Sequence, residues 1–171
     1  YGGGPGMVIR AEPVIRAVSA ITKRMPKSLP AQRRARIIIL SPGGKQFTNK
    51  IAERFAKQGT PLILIAGRYE GIDARARKVL KAEEISIGNY TVTGGELPAL
   101  IILDAVTRRL PGVLGRDQSV EEKRIASHEV YTRPEVITVK GRRYRVPKVL
   151  LSGHHAKIDN WKLEKKDSRL T

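Results

Sequence analysis

The sequence predicts an α/β fold, a parallel sheet with flanking helices, followed by a small C-terminal helical unit. Two observations carry the sheet. Arg36-Ile37-Ile38-Ile39-Leu40 and Pro61-Leu62-Ile63-Leu64-Ile65-Ala66 are continuous apolar runs rich in branched residues and bounded by Pro, Gly or Ser, the pattern of strands buried on both faces. Helical patterns lie between and after these runs, and strands that alternate with helices pair in parallel. A third observation is that glycine-rich loops follow successive runs, at the edge where parallel α/β sheets collect ligands.

Taken in order, Phe47 to Lys57 places Ile51, Ala52 and Phe55 on one helical face. Ile72 to Leu80 is a short, highly charged helix expected to turn Val79 and Leu80 inward. Glu84 to Val92 mixes Ile85, Ile87, Tyr90 and Val92 with polar residues and reads as short strands interrupted around Gly88. Thr93-Gly94-Gly95-Glu96 has the spacing of a capping box, in which the Thr hydroxyl and Glu carboxylate satisfy free amides of a first turn. A helix from about Gly94 to Arg109 is expected, stopped by Pro111-Gly112. The following residues are charged and aperiodic, as a linker is. Beyond them Ser152 is a plausible N-cap for a last helix carrying Ile158, Trp161 and Leu163, with Trp161 expected in the core. The organisation expected is a main domain over residues 1–115, a linker over 116–130 and a C-terminal unit over 131–171.

At 171 residues, one domain with a small appendage buries roughly two thirds of its unfolded surface, enough for a core. Lys and Arg number 33 against 16 Asp and Glu, a net charge of +17, which makes a polyanion the natural partner. The excess is dispersed: Lys23 to Arg36 holds six cations and no acid, and Lys140 to Lys148 holds five around Tyr144. Such patches suit a wide nucleic-acid footprint, although a solvated basic surface has the same composition. With no cysteine there is no disulfide and no thiolate metal site, and a reducing compartment is expected. No apolar run approaches the roughly 20 residues that span a bilayer, and no signal peptide is visible. A soluble, cytoplasmic protein with no membrane partner is therefore expected. The chain opens at Tyr1 without a methionine and enters Gly2-Gly3-Gly4 directly, so an amino-terminal piece is expected before it.

The glycine-rich loops are Leu40 to Gly44, Gly67 to Asp73, and Ser86 to Tyr90 leading into Thr93 to Glu96. Glycine lets backbone amides and carbonyls come close to a flat ring or a compact chain. One such loop is as easily a tight turn; three of them, with the Gly2 to Gly6 segment, favour a ligand site. No Gly-Lys-Ser or Gly-Lys-Thr ends a P-loop, and no G-x-G-x-x-G opens a helix after a strand, which disfavours nucleoside triphosphates and dinucleotides.

Eight segments together are more specific: Tyr-Gly-Gly-Gly-Pro-Gly-Met at 1–7, Leu-Ser-Pro at 40–42, Gly-Arg-Tyr-Glu-Gly-Ile-Asp at 67–73, Glu-Glu-Ile-Ser-Ile-Gly at 83–88, Thr-Gly-Gly-Glu-Leu at 93–97, Pro-Gly-Val-Leu-Gly at 111–115, Tyr-Thr-Arg-Pro at 131–134 and Leu-Ser-Gly-His-His at 151–155. In order and spacing they resemble the bacterial tRNA (guanine-N1)-methyltransferases over nearly the whole chain. The resemblance implies the SPOUT class, with a parallel sheet, a deep trefoil knot and an obligate homodimer; the general rule for protein topology argues against knots. It implies transfer of a methyl group from S-adenosylmethionine to N1 of the guanine 3′ to the anticodon of tRNA. Leu40, Ser41, Pro42, Gly67, Tyr69, Glu70, Gly71, Ser86, Ile87, Gly88, Tyr90, Thr93, Gly94 and Gly95 are the cofactor-binding residues it implies.

That reaction needs a base for the proton on N1 and a group to stabilise charge on O6. The resemblance places an acidic base in the linker about four positions before Tyr131, where this chain has Ser127, and the linker is about four residues shorter than the family pattern. Glu129 is the nearest carboxylate and the candidate base, with an exposed linker charge as the bland alternative and His128 as the other titratable group. Arg116 is the candidate for O6 or for orienting guanine, a phosphate contact being the alternative. Glu70 and Asp73 could hold the magnesium ion implied by the family, although a loop and helix-start pair is more often a cap, and no metal ligand is assigned. Arg133, Arg142, Arg143, Arg145, Lys148 and His154 are the RNA-binding candidates. The departures at Ser127 and in the linker motivate an alternative, an RNA-binding protein that keeps the fold but is catalytically impaired.

Overall fold

A computed structural model describes residues 6–26, 35–114 and 129–167, which fall into two compact units, Tyr1–Val113 and Leu114–Thr171. The first unit is α/β. Strand β1 (Arg36–Gln46) lies between β2 (Leu62–Ala66) and β3 (Glu83–Ser86), and both pairings are parallel. The centre strand buries three residues in a row, Ile38, Ile39 and Leu40, because both of its faces are covered there. Ile38 and Leu40 point into the main core with Ile51, Ala52, Phe55, Ile85, Ile102 and Val106, supplied by α2 (Asn49–Gln58), β3 and α4 (Glu96–Thr107). Ile39 and Ile63 are buried on the opposite face of the sheet.

The helices have local causes. Thr48 Oγ1 accepts the Ile51 amide at 3.4 Å and caps α2, and Gly59, at φ 56°, ends it in the left-handed conformation. Asp73 caps α3 (Ala74–Leu80) by accepting the Arg75 amide at 2.9 Å. Contrary to expectation, Val79 of α3 faces solvent and the buried residue is Ala76. A further helix, α1 (Ala11–Arg24), packs on α3 and buries Ala11 and Val18.

Three expectations along the site edge need correction, the first being the short strands on both sides of Gly88: β3 ends at Ser86, and 87–92 are bends and irregular backbone that pair with no strand. Strand β1 does not stop at Leu40: Leu40 and Lys45 both partner Ile85, so residues 41–44 leave the ladder as a bulge and the strand resumes to Gln46. A Cβ on Gly44 would lie 2.5 Å from the Ile85 nitrogen, so the bulge returns only on glycine. The capping box does not form either. Gly95 is the N-cap of α4, no side chain caps that end, and Glu96 turns to the Arg68 guanidinium instead.

The second unit holds a hairpin, β4 (Val136–Val139) and β5 (Arg142–Arg145), then α5 (Lys148–Leu151) and α6 (His155–Asp167). Lys140 and Gly141, both at positive φ (49° and 75°), make its two-residue turn. Ser152 does not begin the last helix; it closes α5, and its hydroxyl accepts the His154 amide at 3.2 Å in the turn before α6. Trp161 is half-buried beside the Tyr131 ring, 6.3 Å between centroids. Among the described residues, no helix is long and apolar enough to cross a membrane.

Candidate functional site

The C-terminal ends of the three parallel strands and the loop before α4 enclose a cleft of about 370 Å³, a size suited to one small ligand. Residues 39–42 form one wall, 67–74 a second, 84–87 a third and 90–95 the fourth. Loops this close are possible because the backbones touch. Gly95 donates its amide to the Gly67 carbonyl at 2.8 Å, and a Cβ on Gly95 would stand 2.6 Å from the Ala66 Cα. Ser86, buried, donates its hydroxyl to the Gly88 carbonyl at 2.8 Å and fixes the turn after β3. Tyr69 carries a positive φ of 61° and is largely exposed at the rim, a strained position for an aromatic residue.

The second wall is extended from the amino-terminal side. The Ile9 amide donates to the Gly71 carbonyl, the Glu70 amide to the Met7 carbonyl and the Asp73 amide to the Ile9 carbonyl, so Met7–Ile9 runs along the 70–73 loop. Gly6 faces the Glu70 side chain so closely that no Cβ fits between them.

Charge around the cleft is mostly paired. Arg68 Nε meets Glu96 Oε1 at 2.8 Å, and Arg77 Nη1 meets Glu84 Oε2 at 3.1 Å. The carboxylate of Asp73 accepts from the Arg75 guanidinium and amide, and the guanidinium bonds first of all hold it at about 2, below its usual 3.8. Glu96 is also held low, by its own amide and then by Arg68. Among the described residues, Glu70 has no ion-pair partner.

Of the cofactor-binding residues expected from the sequence, Leu40, Ser41, Pro42, Gly67, Tyr69, Glu70, Gly71, Ser86, Ile87, Tyr90, Thr93, Gly94 and Gly95 all line this one cleft. Gly88 does not; it lies under the Tyr90 ring, where a Cβ would collide with the aromatic edge. Sequence reasoning passed over Arg68, Arg77, Glu84 and Pro98, which also line it. Arg68 stands inside a quoted motif, but its partner is 28 residues away, a pairing that no local pattern announces.

Glu129 belongs to the second unit. It accepts from the Tyr131 hydroxyl at 2.8 Å and meets Lys165 at 3.0 Å, and these contacts, Tyr131 first, hold its carboxyl below the ordinary range. Arg133, Arg142, Arg143, Arg145, Lys148 and His154 are all exposed in that unit. Arg116, Ser127 and His128 lie outside the described residues.

The family model described as tRNA (Guanine-1)-methyltransferase TrmD matches residues 1–171. A tRNA (guanine-N(1)-)-methyltransferase of Dehalococcoides mccartyi is 44% identical over 166 residues, 95% of this chain and 62% of that protein. One from Listeria monocytogenes is 43% identical over 95% of this chain and 64% of its own length, and one from Lachnospira eligens is 43% identical over 99% and 69%. The chain thus spans less than two thirds of the length of the first two relatives.

Proposed function

Because the chain belongs to the tRNA (guanine-1)-methyltransferase family, we propose that its cleft binds S-adenosylmethionine and that the protein transfers the methyl group to N1 of the guanine 3′ to the anticodon of tRNA. One observation carries the reading: thirteen sequence-expected binding residues from four separate segments line a single cleft of about 370 Å³. The walls suit the cofactor, since glycines at 67, 71, 94 and 95 put bare main chain along its edge, where a side chain would otherwise stand. S-adenosylmethionine would supply an electrophilic methyl on its sulfonium. Glu70, without an ion-pair partner among the described residues, is the carboxylate available to a positively charged group there. Magnesium is given no step, because the Asp73 carboxylate is taken by Arg75.

Within this proposal Glu129 is the base for the N1 proton, and Tyr131 and Lys165 keep it ionised and oriented. Arg116 is the proposed stabiliser of O6. Arg133, Arg142, Arg143, Arg145, Lys148 and His154 of the C-terminal unit bind the tRNA, following a linker over 116–130. The trefoil knot is part of this proposal through the resemblance to the family alone. A homodimer is supported by α4, which is apolar on its exposed side as well as its buried one: Leu97, Leu100, Ile101 and Leu103 face outward.

The test is methyl incorporation from labelled S-adenosylmethionine into unmodified tRNA, run beside calorimetric titration of the cofactor. Binding with transfer is expected. Cofactor binding without transfer would favour the impaired RNA-binding alternative, and failure of binding would remove the cleft from the proposal. A Glu129→Gln variant is expected to lose about 10²- to 10⁴-fold in turnover with cofactor affinity unchanged; undiminished turnover removes Glu129 as base.

A further inference from the structure

We propose that the β4–β5 hairpin is a stacking platform for an unpaired nucleotide, with Tyr144 taking the base and the surrounding arginines the phosphates. The inference rests on the reading that the partner is RNA and names which part of the RNA this surface takes. In the antiparallel register Ile137 stands opposite Tyr144 and Val139 opposite Arg142, so these four side chains share one face. The other face carries Val136 with Arg145 and Thr138 with Arg143. Ile137, Val139 and Tyr144 are 51%, 51% and 52% exposed. Two strands are marginal on their own in water, and an aromatic flanked by two branched side chains on an open strand face is a surface that gains from being covered.

Charge identifies what covers it. From Glu135 to Lys148 the chain has five cations, Lys140, Arg142, Arg143, Arg145 and Lys148, against the single acid Glu135. A second copy of the hairpin would set these cations against themselves, whereas a polyanion neutralises them. An aromatic face among arginines is the surface on which single-stranded bases stack, because every base has a π face and the guanidinium groups track the backbone. A base inside a duplex offers no free face, so the nucleotide is unpaired. Tyr144 is suited to it: among the described residues it has no ring contact and no side-chain hydrogen bond, while Tyr131 is committed to Glu129 and Trp161. The tight turn at Lys140-Gly141 holds the two strands in fixed register beneath it.

The experiment uses the full chain and a short unstructured oligoribonucleotide carrying a fluorescent purine analogue, with binding followed by anisotropy and stacking by quenching. Quenching on binding is expected for the unaltered protein and for Tyr144→Phe. Tyr144→Leu, which keeps an apolar side chain on the face, should bind about 5- to 150-fold more weakly and quench less. Arg143→Gln, on the opposite face, should reduce the salt dependence and leave quenching intact. Binding without quenching by the unaltered protein overturns the proposal even if Tyr144→Leu fails to fold. So does unchanged RNA affinity of Tyr144→Leu accompanied by lost binding to anionic vesicles or by an altered oligomeric state. Methylation of tRNA is measured separately: intact transfer with no stacking sinks the platform alone, and stacking with no transfer sinks the proposed activity alone.

Discussion

At Gly95 the cleft wall has no room for a single methyl group. Its Cβ would stand 2.6 Å from the Ala66 Cα and 3.0 Å from the Gly67 nitrogen, both backbone atoms that cannot swing away. Gly95→Ala is therefore expected to cost at least about 1–3 kcal/mol in chemical denaturation and to weaken S-adenosylmethionine binding in calorimetry. Unchanged binding would mean that the loop before α4 does not shape the cofactor site. Asp73 gives a residue-level prediction of a different kind. Its folded value, about 2, is depressed from 3.8 by Arg75, so its charge stabilises the fold above the ordinary value and that contribution is lost as pH falls from about 3.8 towards 2. Asn retains a capping oxygen but not the charge. Asp73→Asn should thus be less stable than the parent near neutrality, with the gap closing in the acid range in low-salt thermal melts. A gap independent of pH would assign the loss to the cap alone. Tyr69 and Gly71, both at positive φ in one loop, show a limit of reading by residue type: the glycine announces its conformation, the tyrosine conceals it.

At the scale of elements, the parts legible in the sequence are those whose cause is local. β2 follows from its apolar run and α2 from the Ile51, Ala52 and Phe55 face; the structure adds the Thr48 cap and the Gly59 stop. Thr48→Ala should cost about 1 kcal/mol by thermal or urea unfolding and Thr48→Ser should restore most of it; an unaffected Ala variant would mean the 3.4 Å bond carries little. What was not legible depends on a partner far along the chain. The Thr93 to Glu96 pattern predicts a capping box, but Arg68 competes for the Glu96 carboxylate and Gly95 itself becomes the cap. The end of β1 reads as Leu40 because Ser41-Pro42-Gly43-Gly44 is loop-like, yet Ile85 pairs with residues on both sides of that bulge. The hairpin escapes because Lys140-Gly141 lacks the Asn-Gly or Asp-Gly signature of such a turn, and its strands are read first as charge. The cleft residues were legible as a set through the resemblance to the family; glycine at successive strand ends marked the ligand edge but not which residues line it. Arg68, Arg77 and Glu84 were not, since charged residues on a basic chain give no sign of facing inward.

For the whole molecule, charge and the apolar face of α4 oppose each other in any self-association, and this separates its two proposed partners. A chain carrying +17 repels its copies, so a dimer built on Leu97, Leu100, Ile101 and Leu103 forms against that repulsion by apolar burial. Salt screens the repulsion, whose reach is about 10 Å at 0.1 M, and leaves the apolar contact in place. RNA binding runs the other way, because phosphate contacts release counterions and weaken as salt rises. Raising salt should accordingly tighten self-association in sedimentation equilibrium while loosening tRNA in a filter or anisotropy assay. Leu100→Glu places a charge at the centre of the exposed stripe, at a position 59% exposed in the single chain, so the fold tolerates it while the interface does not. That variant should sediment as a monomer at concentrations where the parent is dimeric, with circular dichroism unchanged. A parent that is monomeric at every salt concentration, or a Leu100→Glu protein that dimerises as before, would show that α4 is not the surface on which two copies meet.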